Sequence, residues 1–173
     1  MITQVYISVG SNIDRDENIR AGLDAMYDQF GELVCSPVYE SVAFGFEGDN
    51  FYNLVVGFRT EKSVKDVANT LREIENVQQR ARDGVKFSSR TLDLDLILYG
   101  DLVLHEGRLR IPREDIKEYA FVLQPLADIA PQQVHPELKQ TYEAMWAAFD
   151  KSKSEQYVVD AGFLENFKNY SKI

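Results

Sequence analysis

Cysteine is almost absent from this 173-residue chain: Cys35 stands alone, so no internal disulfide can form and the chain suits a reducing cytoplasm. Nothing near it in sequence resembles a nucleophilic site, and it reads as a small core residue. Histidine is nearly as scarce. His105 and His135 have no second histidine or cysteine at metal-ligand spacing, so both read as ordinary surface residues. No segment approaches the roughly 20 apolar residues of a membrane span. The first ten residues alternate like a strand and lack the basic region that opens a secretory signal. A basic excess is missing too. The net charge of −9 argues against broad nucleic-acid or membrane-surface binding, which favours a cationic footprint. There is no internal repeat and no convincing linker. The expectation is a cytoplasmic globular protein with one domain over 1–150, an extension over 151–173 of undecided role, and no obligate protein partner.

What positive charge there is comes in clusters. Arg80, Arg82, Lys86 and Arg90 fall within eleven residues, and Arg108, Arg110 and Arg113 within six. Local cationic segments in an acidic chain suit a small polyanion better than a long one, although solvated surface charge is the plain alternative for any single residue. Hydrophobic spacing predicts a strand over 3–9 and a helix through Phe30, with Asp14 or Asp16 at its start. Strands follow near 33–40 and 52–60, and then a second helix opened by Ser63. After the basic stretch 78–90 comes another strand, a hairpin over 101–110, a helical stretch over 117–129 with Pro125 as a candidate interruption, and a short helix around Trp146. The order is β-α-β-β-α-β. It predicts an α+β, ferredoxin-like core with a largely antiparallel sheet, helices packed on it and a C-terminal extension.

The most informative run is Arg90-Thr91-Leu92-Asp93-Leu94-Asp95-Leu96-Ile97-Leu98-Tyr99. A strand sends alternate side chains to opposite faces, so leucines at 92, 94, 96 and 98 form one face and the other begins with two carboxylates. Those carboxylates sit about 6.5–7 Å apart along the strand. At an effective dielectric near 20 they repel by roughly 2–3 kcal/mol. Either the face is solvated or a cation compensates, and the strand by itself leaves both open. Cations upstream and paired carboxylates downstream are the combination that phosphoryl transfer uses. Carboxylates suit magnesium, and arginines neutralise charge developing on the phosphoryl group.

Arg80-x-Arg82 with the run 90–100 resembles the 6-hydroxymethyl-7,8-dihydropterin pyrophosphokinase family of folate biosynthesis. Gly10-Ser11-Asn12, Ser36-Pro37-Val38-Tyr39-Glu40-Ser41, Phe51-Tyr52-Asn53, Ile74-Glu75, Ile111-Pro112 and Phe121-Val122-Leu123 through Pro131 follow in the family's order, over about residues 4–149. The resemblance implies transfer of pyrophosphate from ATP to the hydroxymethyl oxygen of a reduced pterin, with ATP and the pterin as partners and AMP as the second product. It implies that Asp93 and Asp95 hold two Mg2+ ions and that Arg80 and Arg82 close over the phosphates from a mobile loop. Lys86, Arg90, Arg108, Arg110 and Arg113 become candidate nucleotide contacts. Ser41, Val42, Ala43, Phe44, Phe51, Asn53, Phe87 and Phe121 become candidate pterin contacts, although core packing is the plain alternative for each phenylalanine.

This sequence departs from the family pattern at several positions. Lys86 stands for an arginine, Phe87 for a tryptophan, Ser88-Ser89 for Gly-Pro, Arg113 for a histidine and Tyr119 for an arginine. Those changes motivate two alternatives: a nucleotide- or pterin-binding paralogue without turnover, and a pyrophosphokinase for another pterin alcohol.

Overall fold

The computed structural model describes residues 1–41, 50–80 and 92–164. β1 (Thr3–Ser11) leads to α1 (Arg15–Phe30), whose Ile19, Leu23 and Met26 share one buried stripe. Asp14 takes the N-cap position but makes no side-chain cap bond. Asn18 secures this end instead: its backbone N–H donates to the Asp14 carbonyl (3.0 Å) and its Nδ2 to the Ile13 carbonyl (2.6 Å). The single strand expected near 33–40 is two short ones, β2 (Val34–Cys35) and β3 (Tyr39–Ser41). Pro37 has no N–H to give a ladder. Ser36 fills the gap, its Oγ accepting from Val55 N and donating to the Pro37 carbonyl, each at 2.9 Å.

β4 (Phe51–Thr60) and α2 (Val64–Arg80) follow, with Ser63 Oγ accepting from Asp66 N as the helix cap. β5 (Asp93–Tyr99) carries the acidic-leucine run, and β6 (Leu104–Glu106) with β7 (Leu109–Ile111) forms the separate hairpin. The helical stretch expected over 117–129 breaks at Tyr119, not at Pro125. Tyr119 is extended between α3 (Asp115–Glu118) and α4 (Ala120–Ile129), while Pro125 sits buried inside α4. There it forfeits one helical hydrogen bond, a loss that burial of its ring helps offset. α5 (Tyr142–Ala148) is capped by Thr141, and β8 (Gln156–Val158) comes from the extension.

The main sheet runs β5-β1-β4-β3-β8, with β2 also on β4, and every pairing is antiparallel. This is the expected ferredoxin-like arrangement. Val5, Ile7, Val9, Leu54, Val56 and Phe58 meet Ile19, Leu23, Met26, Val67 and Leu71 in one core. Tyr6, Val55 and Ile97 meet Val122, Leu123, Leu126 and Tyr142 in a second. The extension docks on both elements around it. β8 pairs with β3, Ala161 and Leu164 enter the first core, and the Phe163 carbonyl accepts from Arg20 Nη1 at 3.1 Å.

Two expectations are corrected. Leu92 and the three leucines of β5 do not share a face: the β1–β5 register shifts between Tyr6 and Ile7. Leu92, Leu94 and Leu96 enter the first core, whereas Leu98 joins Ile97 in the second. A bulge carries one extra residue and so changes the side that the following positions face. His135 is not a surface residue but is 2% exposed. Its Nδ1 accepts from the N–H groups of Glu137 and Leu138, both at 3.1 Å, and its ring meets Tyr142 edge-on. Local backbone bonds of this kind leave no trace in ligand-type spacing. His105 is exposed, as expected, and Cys35 is fully buried, which pushes its thiol up to about 12. Among the described residues no helix is long and apolar enough to cross a membrane.

Candidate active site

The centre of the sheet places a row of polar positions side by side. Asp93 on β5 pairs with Gly10 on β1, Gly10 with Asn53 on β4, and Asn53 with Tyr39 on β3; one step along, Asp95 pairs with Ser8. The two aspartates share a face because they are two residues apart in an unbroken stretch of strand. The bulge comes later, beyond Leu96. Alternation therefore does two jobs in β5: leucines lock one face to α1 and α2, and the carboxylates are left on the other.

Above that row lies a cavity of about 990 Å³. Its floor is Ser8, Gly10, Asn53, Asp93 and Asp95; Tyr119, Phe121 and Leu123 come from the start of α4, Met145 and Phe149 from α5, and Glu155 and Gln156 from the extension. Gly10 is needed for a steric reason. A Cβ there would stand 2.8 Å from Asn53 Oδ1, so only glycine lets the amide lie across β1. Asn53 is 5% exposed and donates through Nδ2 to Ser41 Oγ at 3.1 Å. The Tyr119 and Phe121 rings stack with centroids 5.0 Å apart and planes 17° from parallel.

Charge around the cavity is mostly negative. Asp93, Asp95, Asp115, Glu118, Asp150 and Glu155 line it among the described residues, against Lys117. Arg113 stands beside the acidic end, with Nη1 4.0 Å from Asp95 Oδ1 and Nη2 3.5 Å from Asp115 Oδ2. Its Nε is buried without a hydrogen-bond partner among the described residues. Behind β5, Glu75 Oε2 accepts from Leu94 N at 3.0 Å and ties the strand to α2. Near the other end, Tyr39 donates through its hydroxyl to Asp128 Oδ2. Burial first, then that bond, raises the Tyr39 phenol, and burial likewise raises the Asp128 carboxyl against the bond's opposite pull.

The structure thus brings Ser41, Phe51, Asn53, Asp93, Asp95 and Phe121 to one cavity, with Arg113 at its acidic edge. Arg108 and Arg110 are exposed on the β6–β7 hairpin and are not among the lining residues. Val42, Ala43, Phe44, Arg82, Lys86, Phe87 and Arg90 lie outside the described residues, as does the side chain of Arg80, which ends α2.

The family described as 7,8-dihydro-6-hydroxymethylpterin-pyrophosphokinase (HPPK) matches residues 6–131, and so covers the whole row of polar strand positions. The chain belongs to the HPPK family. It is 39% identical over 136 residues to the 2-amino-4-hydroxy-6-hydroxymethyldihydropteridine pyrophosphokinase of Pseudomonas aeruginosa, covering 76% of this chain and 83% of that HPPK. The Synechocystis enzyme of the same name is 38% identical over 136 residues, covering 73% and 69%. Among solved structures, a Plasmodium falciparum HPPK-DHPS with pterin and p-hydroxybenzoate aligns with a TM-score of 0.70 at 14% identity. The alignment covers 85% of this chain and 43% of that longer one, and it supports the shared fold.

Several lining residues of this HPPK were not singled out from sequence. Gly10 enters the sequence reading only within the Gly10-Ser11-Asn12 motif, and its steric role emerges from the close approach of Asn53. Tyr119 was noted as a lost cation, whereas its ring extends the aromatic wall. Met145, Phe149, Glu155 and Gln156 had no local signature, because their place depends on where α5 and the extension dock.

Proposed function

We propose that this HPPK transfers the pyrophosphoryl group of ATP to the hydroxymethyl oxygen of 6-hydroxymethyl-7,8-dihydropterin, with Asp93 and Asp95 as the magnesium ligands. The observation that carries it is the meeting, in one cavity of a chain of this family, of the paired carboxylates with the polar pair Ser41 and Asn53 and the rings of Phe51 and Phe121.

The donor set suits magnesium. Two carboxylates project from one strand face, and the Asp95 side chain is 41% exposed, so an ion can reach it from solvent. Among the described residues there is no cluster of three or more acidic, histidine or cysteine side chains able to cage a metal. That fits an ion that keeps waters and completes its shell with substrate phosphates, as magnesium does with one or two carboxylates. Bound there, two ions would neutralise the phosphates and stabilise attacking and leaving oxygens.

The remaining roles fall to the chain itself. Asn53 and Ser41 supply hydrogen-bonding groups to the edge of the pterin, and Phe51 and Phe121 offer faces for its ring. Residues 42–44 and Phe87 complete the pterin contacts. Arg80, Arg82, Lys86 and Arg90 bind phosphate, with Arg113 adding a cation beside Asp95 and Arg108 and Arg110 forming an outer rim. The acidic lining repels a bare polyphosphate, so the nucleotide enters as its metal complex. Catalysis then rests on positioning the hydroxymethyl oxygen against the β-phosphorus and on charge stabilisation, with AMP as the leaving group. The reaction belongs in the cytoplasm, and neither nucleic acid nor a membrane takes part.

The test is direct: purified protein with ATP, magnesium and the dihydropterin should release AMP and the pterin pyrophosphate in equal amounts. Absence of AMP under those conditions would sink the reading.

A further inference from the structure

The match to the HPPK family ends at residue 131, yet the cavity does not. Part of its wall is the extension, and one side chain there joins two parts of the pterin site. Gln156 lies opposite Ser41 in the β3–β8 pairing. Its Nε2 donates to the Ala120 carbonyl at 3.1 Å and to Gln124 Oε1 at 2.6 Å, both on α4. Ser41 in turn accepts from Asn53 Nδ2, and Ala120 immediately precedes Phe121. Hydrogen bonds from Asn53 to Ser41 and from Gln156 to the first turn of α4, where Phe121 stands, therefore meet across the β3–β8 pairing of Ser41 with Gln156. Gln156, Ser41, Asn53 and Phe121 all line the cavity.

The geometry points to Gln156 as a positioning residue for the pterin, one that sets the separation between the polar reader Asn53–Ser41 and the aromatic face of Phe121. The inference rests on the pterin site proposed above. The Ala120 carbonyl belongs to the first residue of α4; the second core and the Tyr39–Asp128 bond hold the rest of that helix to the sheet, and Gln156 ties down its start. It does so from a third element. Its neighbour Tyr157 points the opposite way in the strand and bonds Glu40 Oε2 at 2.9 Å. Tyr157 therefore ties down the same extension without touching α4, and it serves as the internal control.

The experiment compares Gln156→Met with Tyr157→Phe in the full chain. Methionine keeps the length of the side chain and leaves the backbone pairing of β8 intact, but it removes both donors. Two readouts are taken: steady-state AMP release, and calorimetric binding of 6-hydroxymethyl-7,8-dihydropterin with magnesium and a non-transferable ATP analogue. For Gln156→Met, the loss of bonds of ordinary strength should weaken pterin binding and raise its KM by about fivefold. The KM for ATP and kcat should stay at the wild-type values, and Tyr157→Phe should bind pterin normally. Gln124→Ala, which removes one acceptor, should give a smaller change of the same kind. Unchanged pterin affinity in Gln156→Met overturns the assignment. So does an equal loss in Tyr157→Phe, which would mean that only docking of the extension matters. Wild-type protein that binds the dihydropterin but releases no AMP would defeat the pyrophosphokinase reading and leave the Gln156 comparison intact on binding. Wild-type protein that binds no pterin defeats both.

Discussion

The two faces of the central sheet differ in how completely they are closed. On the α1–α2 face, Val5, Ile7, Val9, Leu54, Val56, Leu94 and Leu96 are all nearly or fully buried. On the opposite face, α4 and α5 cover Tyr6, Val55, Ile97 and Leu98, but Ser8, Gly10, Asn53, Asp93 and Asp95 are left to line the cavity. The first face supplies the stability that lets the second hold polar groups and like charges in place. A site tolerates about 2–3 kcal/mol of repulsion between carboxylates only on a scaffold stabilised elsewhere.

The comparison breaks most visibly along β5, where both faces meet in one strand. Leu96→Ala opens a cavity in the closed face and should cost about 2–5 kcal/mol in urea denaturation, with the activity of the folded fraction retained. Asp95→Ala acts on the other side. It should lower kcat by about 10²–10³-fold in an AMP-release assay, the loss expected when one electrostatic stabiliser of the transition state is removed. The melting temperature should change little, since repulsion from Asp93 and the ion pair with Arg113 are lost together. A variant at Asp95 as active as wild type would remove it from the mechanism.

Gly10→Ala probes the seam between the faces. The new methyl would sit 2.8 Å from Asn53 Oδ1. Displacing the amide from its Ser41 bond should weaken pterin binding about tenfold, within the roughly 1–3 kcal/mol cost of disturbing a buried hydrogen bond. ATP binding, measured without pterin, should not change.

The smallest effect concerns His135, on the α4–α5 side. Burial, acting first, lowers its pKa from the ordinary 6.5, against the pull of Glu137. The folded state therefore prefers the neutral ring, whose Nδ1 lone pair accepts two backbone N–H bonds. Below about pH 6.5 the unfolded chain takes up the proton first, so stability present above that pH falls as pH drops toward the folded-state pKa. Denaturation at pH 8 and pH 5 should show this loss, and His135→Gln should flatten it. A pH dependence unchanged in the variant would assign the effect to other groups.

Much of this was legible in the chain. The 3.6-residue spacing of Ile19, Leu23 and Met26 and the alternation in β1 and β5 reflect which side of each element must be buried, and that requirement is written locally. The Asp93–Asp95 pair stood out for the same reason, whereas Asn53 and Phe121 came forward only through the resemblance to the family. Residues whose surroundings come from far along the chain were harder to read. The β5 bulge that moves Leu98 to the second core depends on the register against β1. Burial of His135 depends on the local turn and on Tyr142. The break at Tyr119 in place of Pro125 depends on α4 finding a buried seat for the proline ring.

Local periodicity and the order of elements were enough to specify the α+β core and to put two carboxylates on one side of a strand, and a set of short motifs in a fixed order was enough to mark the chain as similar to the HPPK family. They act between near neighbours, and near neighbours share a backbone geometry. Which face of the sheet stays open, why residue 10 must be glycine and how Gln156 reaches Ala120 across 36 residues of chain are matters of packing between distant segments. Such contacts exist only after the helices and the extension have docked, because the free energy that orders them comes from burial, which no isolated segment achieves.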